Sequence, residues 1–220
     1  MKQLSGLDAT FLHMETSTQF GHVSSLSILE KPSASYEPLP AWRTQIEQRL
    51  HLLEPLRRRL VEVPFGLDHP YWIEDPDFDL DFHVRHTAVP PPGDDEQIAE
   101  LVARIIGRPL DRSRPLWETY VIEGLPGDLF GLLTKVHHAT IDGASGAELL
   151  TMMLDRQPQG DDVPAPDREW KPDRPPSDTE VLARAAVNVA RKPGRAVLLS
   201  ARTMRDLGRA TRNPALVAVA

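Results

Sequence analysis

The sequence predicts an α+β domain in which a mixed or largely antiparallel sheet is flanked by helices. Apolar runs of strand length and stretches with a three-to-four-residue apolar repeat are both present, but not in the regular alternation of a parallel, doubly wound sheet. Two of the strand-like runs are separated only by Pro126-Gly-Asp128, which reads as a hairpin and therefore as antiparallel pairing. The 220 residues are 40% hydrophobic and 26% charged, enough apolar material for a substantial core.

Leu4 to Met14 reads as a short helix or turn burying Leu7, Phe11 and Leu12, followed by a strand from about His22 to Glu30. The spacing of Trp42, Ile46, Leu50 and Leu53 predicts a helix over 41–53. Strands are expected around Arg59 to Val63, Tyr71 to Glu74 and Phe82 to Thr87. Pro90-Pro-Pro-Gly93 is a stiff break. After it Asp94 or Asp95 caps a helix running to Gly107, with Ile98, Leu101, Val102, Ile105 and Ile106 on its apolar face. Trp117 to Gly124 and Leu129 to His138 form the two hairpin strands, and Ala144 to Leu154 is helical. From Arg156 to Thr179 six prolines and many aspartates mark a linker, beyond which Glu180 to Arg191 and Arg195 to Arg212 are helical. The organisation expected is a domain over 1–155, a linker over 156–179 and a basic helical connector over 180–220.

With no cysteine in the chain, disulfides, a thiol nucleophile and cysteine-bound zinc are excluded, and a reducing compartment is the default. No uncharged run approaches the ~20 residues of a bilayer span, so a cytoplasmic protein is expected. The net charge of -7 is unevenly placed. Between Val181 and Asn213 eight basic residues face one acid, a local +7, so the rest of the chain carries -14. That basic arm reads either as an ordinary solvated helix surface or as a segment for an anionic surface, such as the inner membrane or a lipid droplet. Nucleic acid is not expected, because the body is acidic and no nucleic-acid motif accompanies the arm.

The residues that carry chemistry are His137, His138, Ala139, Thr140, Ile141, Asp142 and Gly143, a paired imidazole followed by a carboxylate and a glycine at the end of the strand. Adjacent residues on an extended strand point to opposite faces, so both imidazoles enter one cavity only if the strand ends between them. One is then a working base. An imidazole with its ordinary pKa of ~6.5 takes a proton from a hydroxyl or amine and releases it again. Asp142 is placed to hold the turn through local backbone donors or a basic partner, and Gly143 to relieve it sterically. Metal binding is not expected: neighbouring histidines make a poor chelate and no ligand cluster lies nearby. Ser145 lies in Gly143-Ala-Ser-Gly-Ala147, not in a Gly-x-Ser-x-Gly elbow, which argues against a serine triad.

Three blocks, Leu4-Ser-Gly-Leu-Asp-Ala-Thr-Phe-Leu12, Pro115-Leu-Trp-Glu118 and Lys135-Val-His-His-Ala-Thr-Ile-Asp-Gly143, occur in the order seen in the bacterial wax ester synthase/diacylglycerol acyltransferase family, which the chain resembles over nearly all its length. The resemblance implies a chloramphenicol-acetyltransferase-like fold, shared with peptide-synthetase condensation domains, in which two related halves enclose a tunnel. It implies His138 as catalytic base, His137 as its less critical neighbour, Asp142 as a structural carboxylate and Gly143 as the turn glycine. Pro115, Leu116 and Trp117 match a block thought to line or shape the acyl pocket, although Trp117 read by its bulk alone is a core residue. The substrates implied are acyl-CoA and a diacylglycerol or long-chain alcohol, with no cofactor. Family members continue into a second half with an Asn-Asp motif, and nothing like it follows Gly143 here, so a C-terminal half is an expected partner. Two rival readings are a condensation-type transferase using a carrier-protein thioester, and an inactive half-domain that binds lipid surfaces.

Overall fold

A computed structural model describes residues 1–141, 151–155, 157, 160–166 and 170–191. Its main sheet has four strands: β2 (His22–Glu30), β5 (Val84–Ala88), β6 (Trp117–Glu123) and β7 (Leu129–His137), in the order β2-β7-β6-β5. β7 pairs antiparallel with β2 and β6, while β5 runs parallel to β6, so the sheet is mixed. The hairpin joining β6 to β7 falls where Pro126-Gly-Asp128 predicts it.

β7 is central and covered on both faces, which is why it reads as one apolar run and not as an alternation. Phe130, Leu132 and Val136 join Trp117 and Val121 in a core against Trp42 and Ile46 of α2 (Pro38–Arg49). Leu133 and Ile122 face the other way, onto Ile98 and Ile105 of α4 (Asp95–Ile106). Asp94 caps α4: its side chain accepts from Gln97 N while Gln97 bonds back, satisfying helix donors that would otherwise be orphaned.

A smaller antiparallel sheet is formed by β1 (Lys2–Gln3), β4 (Tyr71–Glu74) and β3 (Arg58–Val61), with β4 in the middle. Between the two sheets lies α1 (Gly6–Met14), whose Ala9 and Leu12 pack with Leu60, Trp72, Leu116 and Ala139. The Ser5 hydroxyl caps α1 by accepting from Asp8 N. Residues 151–153 are helical, with Met153 buried beside Trp42 and Leu53. The segment read as a linker is anchored at Trp170, whose indole donates to Glu74 at 2.7 Å. The helix Asp178–Arg191 then lies on the small sheet, burying Val181 and Ala185 against Val63 and Tyr71.

Some expectations are corrected. Leu7 is 69% exposed and Phe11 only half-buried, because the face of α1 that packs is Asp8, Ala9 and Leu12. Helix α2 begins earlier than Ala41, at Pro38, since prolines are tolerated in a first turn, and it ends at Arg49. The strand expected from Phe82 is instead a single helical turn, α3 (Leu80–His83), because Asp79 caps it through Asp81 N; β5 starts after it. Ile106 is on the exposed margin of α4, not in its buried stripe. The Arg195–Arg212 helix lies outside the described residues.

Candidate active site

Strand β7 ends between the two histidines. His137 is its last residue, and His138 opens a short 3-10 turn, His138–Thr140. The change in backbone direction frees His138 from the strict alternation of the strand, and its ring lies in different surroundings from that of His137.

His137 is 1% exposed and fixed at both ring nitrogens. Its Nδ1 accepts from Ala139 N at 3.0 Å, so the ring proton sits on Nε2, which donates to Glu15 Oε1 at 3.1 Å. Burial pushes the His137 imidazole below its ordinary pKa, against the opposing pull of Glu15. Burial acts to raise Glu15, but the Gly21 N–H, Arg112 and His137 outweigh it and hold the carboxyl below its usual range. Glu15 thus accepts from Gly21 N at 2.7 Å, from Arg112 Nη2 at 2.7 Å and from His137. Arg112 also donates to Leu12 O at the end of α1, at 2.6 Å.

His138 is exposed. Its backbone N–H donates to Gly21 O at 2.8 Å, and its ring stacks on Phe11 with centroids 3.9 Å apart and planes 19° apart. Among the described residues no side-chain hydrogen bond occupies the imidazole. It opens on a cleft of about 250 Å³ lined by Phe11, Met14, Phe20, His22 and Val23 among others. An imidazole at an apolar cleft, with its plane held by an aromatic ring, can accept a substrate proton. A larger cleft, about 1230 Å³, lies between the end of α2 and residues 161–166 and 170–171 and is not lined by either histidine.

Glycine is required at Gly21 by proximity. A Cβ there would meet His137 Nε2 at 2.8 Å and Phe11 O at 3.2 Å. His22, paired with His137 across the β2–β7 ladder, donates Nε2–H to Ile106 O at 2.8 Å, and burial lowers its pKa. Lys135, fully buried on the same face of β7, donates to the carbonyls of Ile105 and Arg108 and so closes the C-terminal end of α4.

Asp142 and Gly143 lie outside the described residues. Pro115, Leu116 and Trp117 are buried in the core and line neither cleft. Leu116 packs under α1 with Ala139. Trp117 donates to Leu56 O at 2.7 Å and stacks on His83 at 4.6 Å. Residues 115–117 therefore sit behind the histidines and support the end of β7: His137 N donates to Leu116 O at 2.9 Å. Glu15, Gly21 and Arg112 were not singled out in the sequence, where they stand 122, 116 and 25 residues from His137 and belong to no short motif. No group of three His, Asp or Glu side chains placed to hold a metal occurs among the described residues.

The mixed sheet flanked by helices, whose central strand ends at a buried and an open histidine, is a chloramphenicol-acetyltransferase-like fold. Residues 4–220 match the family described as the wax ester synthase/diacylglycerol acyltransferase catalytic domain, and the chain belongs to that family. Tgs3 of Mycobacterium tuberculosis, named a probable diacylglycerol O-acyltransferase, is 42% identical over 195 residues, covering 87% of this chain and 70% of its own. A second protein of that organism, named a putative diacylglycerol O-acyltransferase, is 38% identical over 208 residues, which cover 94% of this chain but 43% of the relative. The wax ester synthase/diacylglycerol acyltransferase of Marinobacter aquaeolei VT8 superposes with a TM-score of 0.61 at 33% identity, over 74% of this chain and 41% of that one. The starter condensation domain of rhizomide synthetase shares the fold at a TM-score of 0.52 and 14% identity, over 69% of this chain and 37% of that one. The chain thus spans less than half of the Marinobacter enzyme's length.

Proposed function

We propose that the protein transfers a fatty acyl group from acyl-CoA to the hydroxyl of a diacylglycerol or a long-chain alcohol, giving triacylglycerol or wax ester, with His138 as general base. The observation that carries this reading is the break of β7 between His137 and His138, which leaves His138 open on an apolar cleft while His137 is hydrogen-bonded at both nitrogens. The acceptor oxygen attacks the thioester carbonyl while its proton passes to His138. The tetrahedral intermediate then collapses, the C–S bond breaks, and the CoA thiolate takes the proton back from His138. No acyl-enzyme forms. Phe11, Met14, Phe20 and Val23 offer apolar contact for an alkyl chain beside the base.

Residues 115–117 shape the acyl pocket indirectly in this reading, by fixing the end of β7 from behind. Asp142 and Gly143 set the turn beyond the base. Domain 1–155 forms the catalytic half, and the segments 156–179 and 180–220 lead to a C-terminal half that closes the tunnel. Because the acceptors are water-insoluble, the protein works at the surface of a membrane or lipid droplet. Acyl transfer by the intact protein, measured with long-chain acyl-CoA and emulsified diacylglycerol or fatty alcohol, is the test. His138→Ala is expected to lower turnover by at least ~10², and unchanged turnover would overturn the assignment.

A further inference from the structure

The main sheet ends in two edge strands, β5 and β2, that are built differently. β5 is five residues long, carries Arg85 and His86 and is followed within two residues by Pro90, features that blunt an edge against further pairing. β2 has none of them. It is nine residues long, pairs with β7 without a bulge and holds no Pro, Lys or Arg, and its one acid, Glu30, stands at the end. Leu26 and Ile28 lie on the α4 side of the sheet, opposite Leu133 and Gly131, yet are 38% and 48% exposed, because α4 packs over Ile122 and Leu133 of the neighbouring strands.

The ladder itself fixes which backbone groups of β2 point outward. His138 N donates to Gly21 O at 2.8 Å and Lys31 N to Asp128 O at 2.7 Å, so the hydrogen-bonded pairs of this antiparallel ladder fall at every second residue from Gly21 to Lys31. His22, Ser24, Leu26, Ile28 and Glu30, between them, turn their N–H and C=O groups away from β7, and among the described residues no strand pairs with that side. The outward pattern is self-complementary. In an antiparallel pairing centred on Leu26, Leu26 meets itself, Ser24 meets Ile28 and His22 meets Glu30, so each outward residue of one copy faces an outward residue of the other. A register one residue off sets outward groups against inward ones, and only the register centred on Leu26 uses the whole strand. Opposed residues share a face of the sheet, so Leu26 and Ile28 of both copies form one apolar strip on the α4 side.

We propose that β2 is an interface between two copies of this protein, which pair antiparallel about Leu26 and join their main sheets into one continuous sheet. A second copy fits this edge because the strand matches itself in backbone donors and acceptors, in its apolar residues, and in the acid that faces a histidine. Gly21, His22 and Val23 line the cleft of His138, so the second copy's Glu30, opposite His22, comes to lie at the rim of that cleft. The pairing does not depend on which reaction the cleft performs.

The chain has no cysteine, which makes the register directly readable. Opposed residues of a hydrogen-bonded pair have Cα atoms about 5.5 Å apart, within disulfide reach. Under mild oxidation of the intact protein, Leu26→Cys should cross-link into dimers at least about tenfold faster than Ile28→Cys, whose two copies stand about 13 Å apart along the strands. Ser24→Cys mixed with Ile28→Cys should cross-link one to the other. Sedimentation velocity over a concentration series should show monomer in equilibrium with dimer. Leu26→Lys, which opposes two ammonium groups at the axis, and Ser24→Pro, which removes an outward donor without touching the β7 ladder, should each weaken the dimer at least about tenfold while the circular dichroism of the monomer stays unchanged. A monomer at every concentration, a dimer indifferent to both substitutions, or equal cross-linking of Leu26→Cys and Ile28→Cys overturns the proposal. A monomer in which the amides of Ser24, Leu26 and Ile28 are protected from hydrogen exchange overturns it in favour of another segment of the chain lying on this edge.

Discussion

His137 Nε2 donates to Glu15 Oε1 at 3.1 Å across 122 residues, and this contact ties the end of β7 to the end of α1. Glu15 also accepts from Gly21 N, and Gly21 O accepts from His138 N, so one carboxylate helps to fix the backbone on both sides of the open imidazole. The buried histidine is thereby fixed at both ring nitrogens, and the exposed one stays open on the cleft.

His137→Ala should accordingly behave differently from loss of the base. It removes a buried ring and leaves Ala139 N and Glu15 short of a partner, a cost of about 2–4 kcal/mol in stability. Its fall in kcat should be smaller than that of His138→Ala, whose melting temperature should stay near the parent's. Thermal denaturation beside steady-state kinetics separates the two, and equal losses of turnover at unchanged stability would contradict this division.

Glu15→Ala should lower kcat about tenfold or more with little change in KM, because the base is mispositioned while the apolar cleft remains. Glu15→Gln keeps an oxygen for Gly21 N and His137 Nε2 but loses the charge facing Arg112, and should recover part of the loss. If Glu15→Gln is as impaired as Glu15→Ala, the charge is what matters and not the hydrogen-bond geometry.

Gly21→Ala places a methyl group 2.8 Å from His137 Nε2 and 3.2 Å from Phe11 O, and should destabilise the protein by about 1–3 kcal/mol. Most of that cost is a clash with one ring. In a His137→Ala background the same substitution should therefore cost clearly less, a coupling that a double-mutant cycle measures. Additive effects would show that the crowding lies elsewhere.

His83 predicts a pH dependence unrelated to catalysis. It is fully buried between Trp117 and Phe78 and donates through Nδ1 to Trp117 O at 2.7 Å. Burial pushes its pKa from 6.5 down to about 4. Between these values the unfolded chain binds more protons than the folded one, so stability is fully present above pH 6.5 and is lost as pH falls toward 4. The whole loss from this residue is about 3 kcal/mol. His83→Gln, which keeps a donor for Trp117 O, should flatten urea midpoints over that window, and an unchanged slope would contradict the assignment.

The sequence by itself determined the mixed α+β class, most strands, α4 with its cap at Asp94, the hairpin and the histidine pair. Each of these rests on local information: apolar periodicity, capping chemistry, turn residues and one short motif. It also stated the condition on which the pair depends, that both rings share a site only if the strand ends between them. Only the tertiary structure decided that it does end there, because the end of β7 is set by Leu116, Gly21 and Ala139 arriving from elsewhere in the chain. Likewise α1 was legible as a helix, but its buried face was not. Leu7 is apolar and exposed, and Phe11 leaves the core to stack on His138, because the orientation of a short helix is chosen by what packs around it. Glu15, Gly21 and Arg112 carry no pattern of their own. Their contacts with His137 exist only once two sheets and a helix have brought distant segments within hydrogen-bond reach, so the fold supplies the frame that makes one of two adjacent histidines available for chemistry.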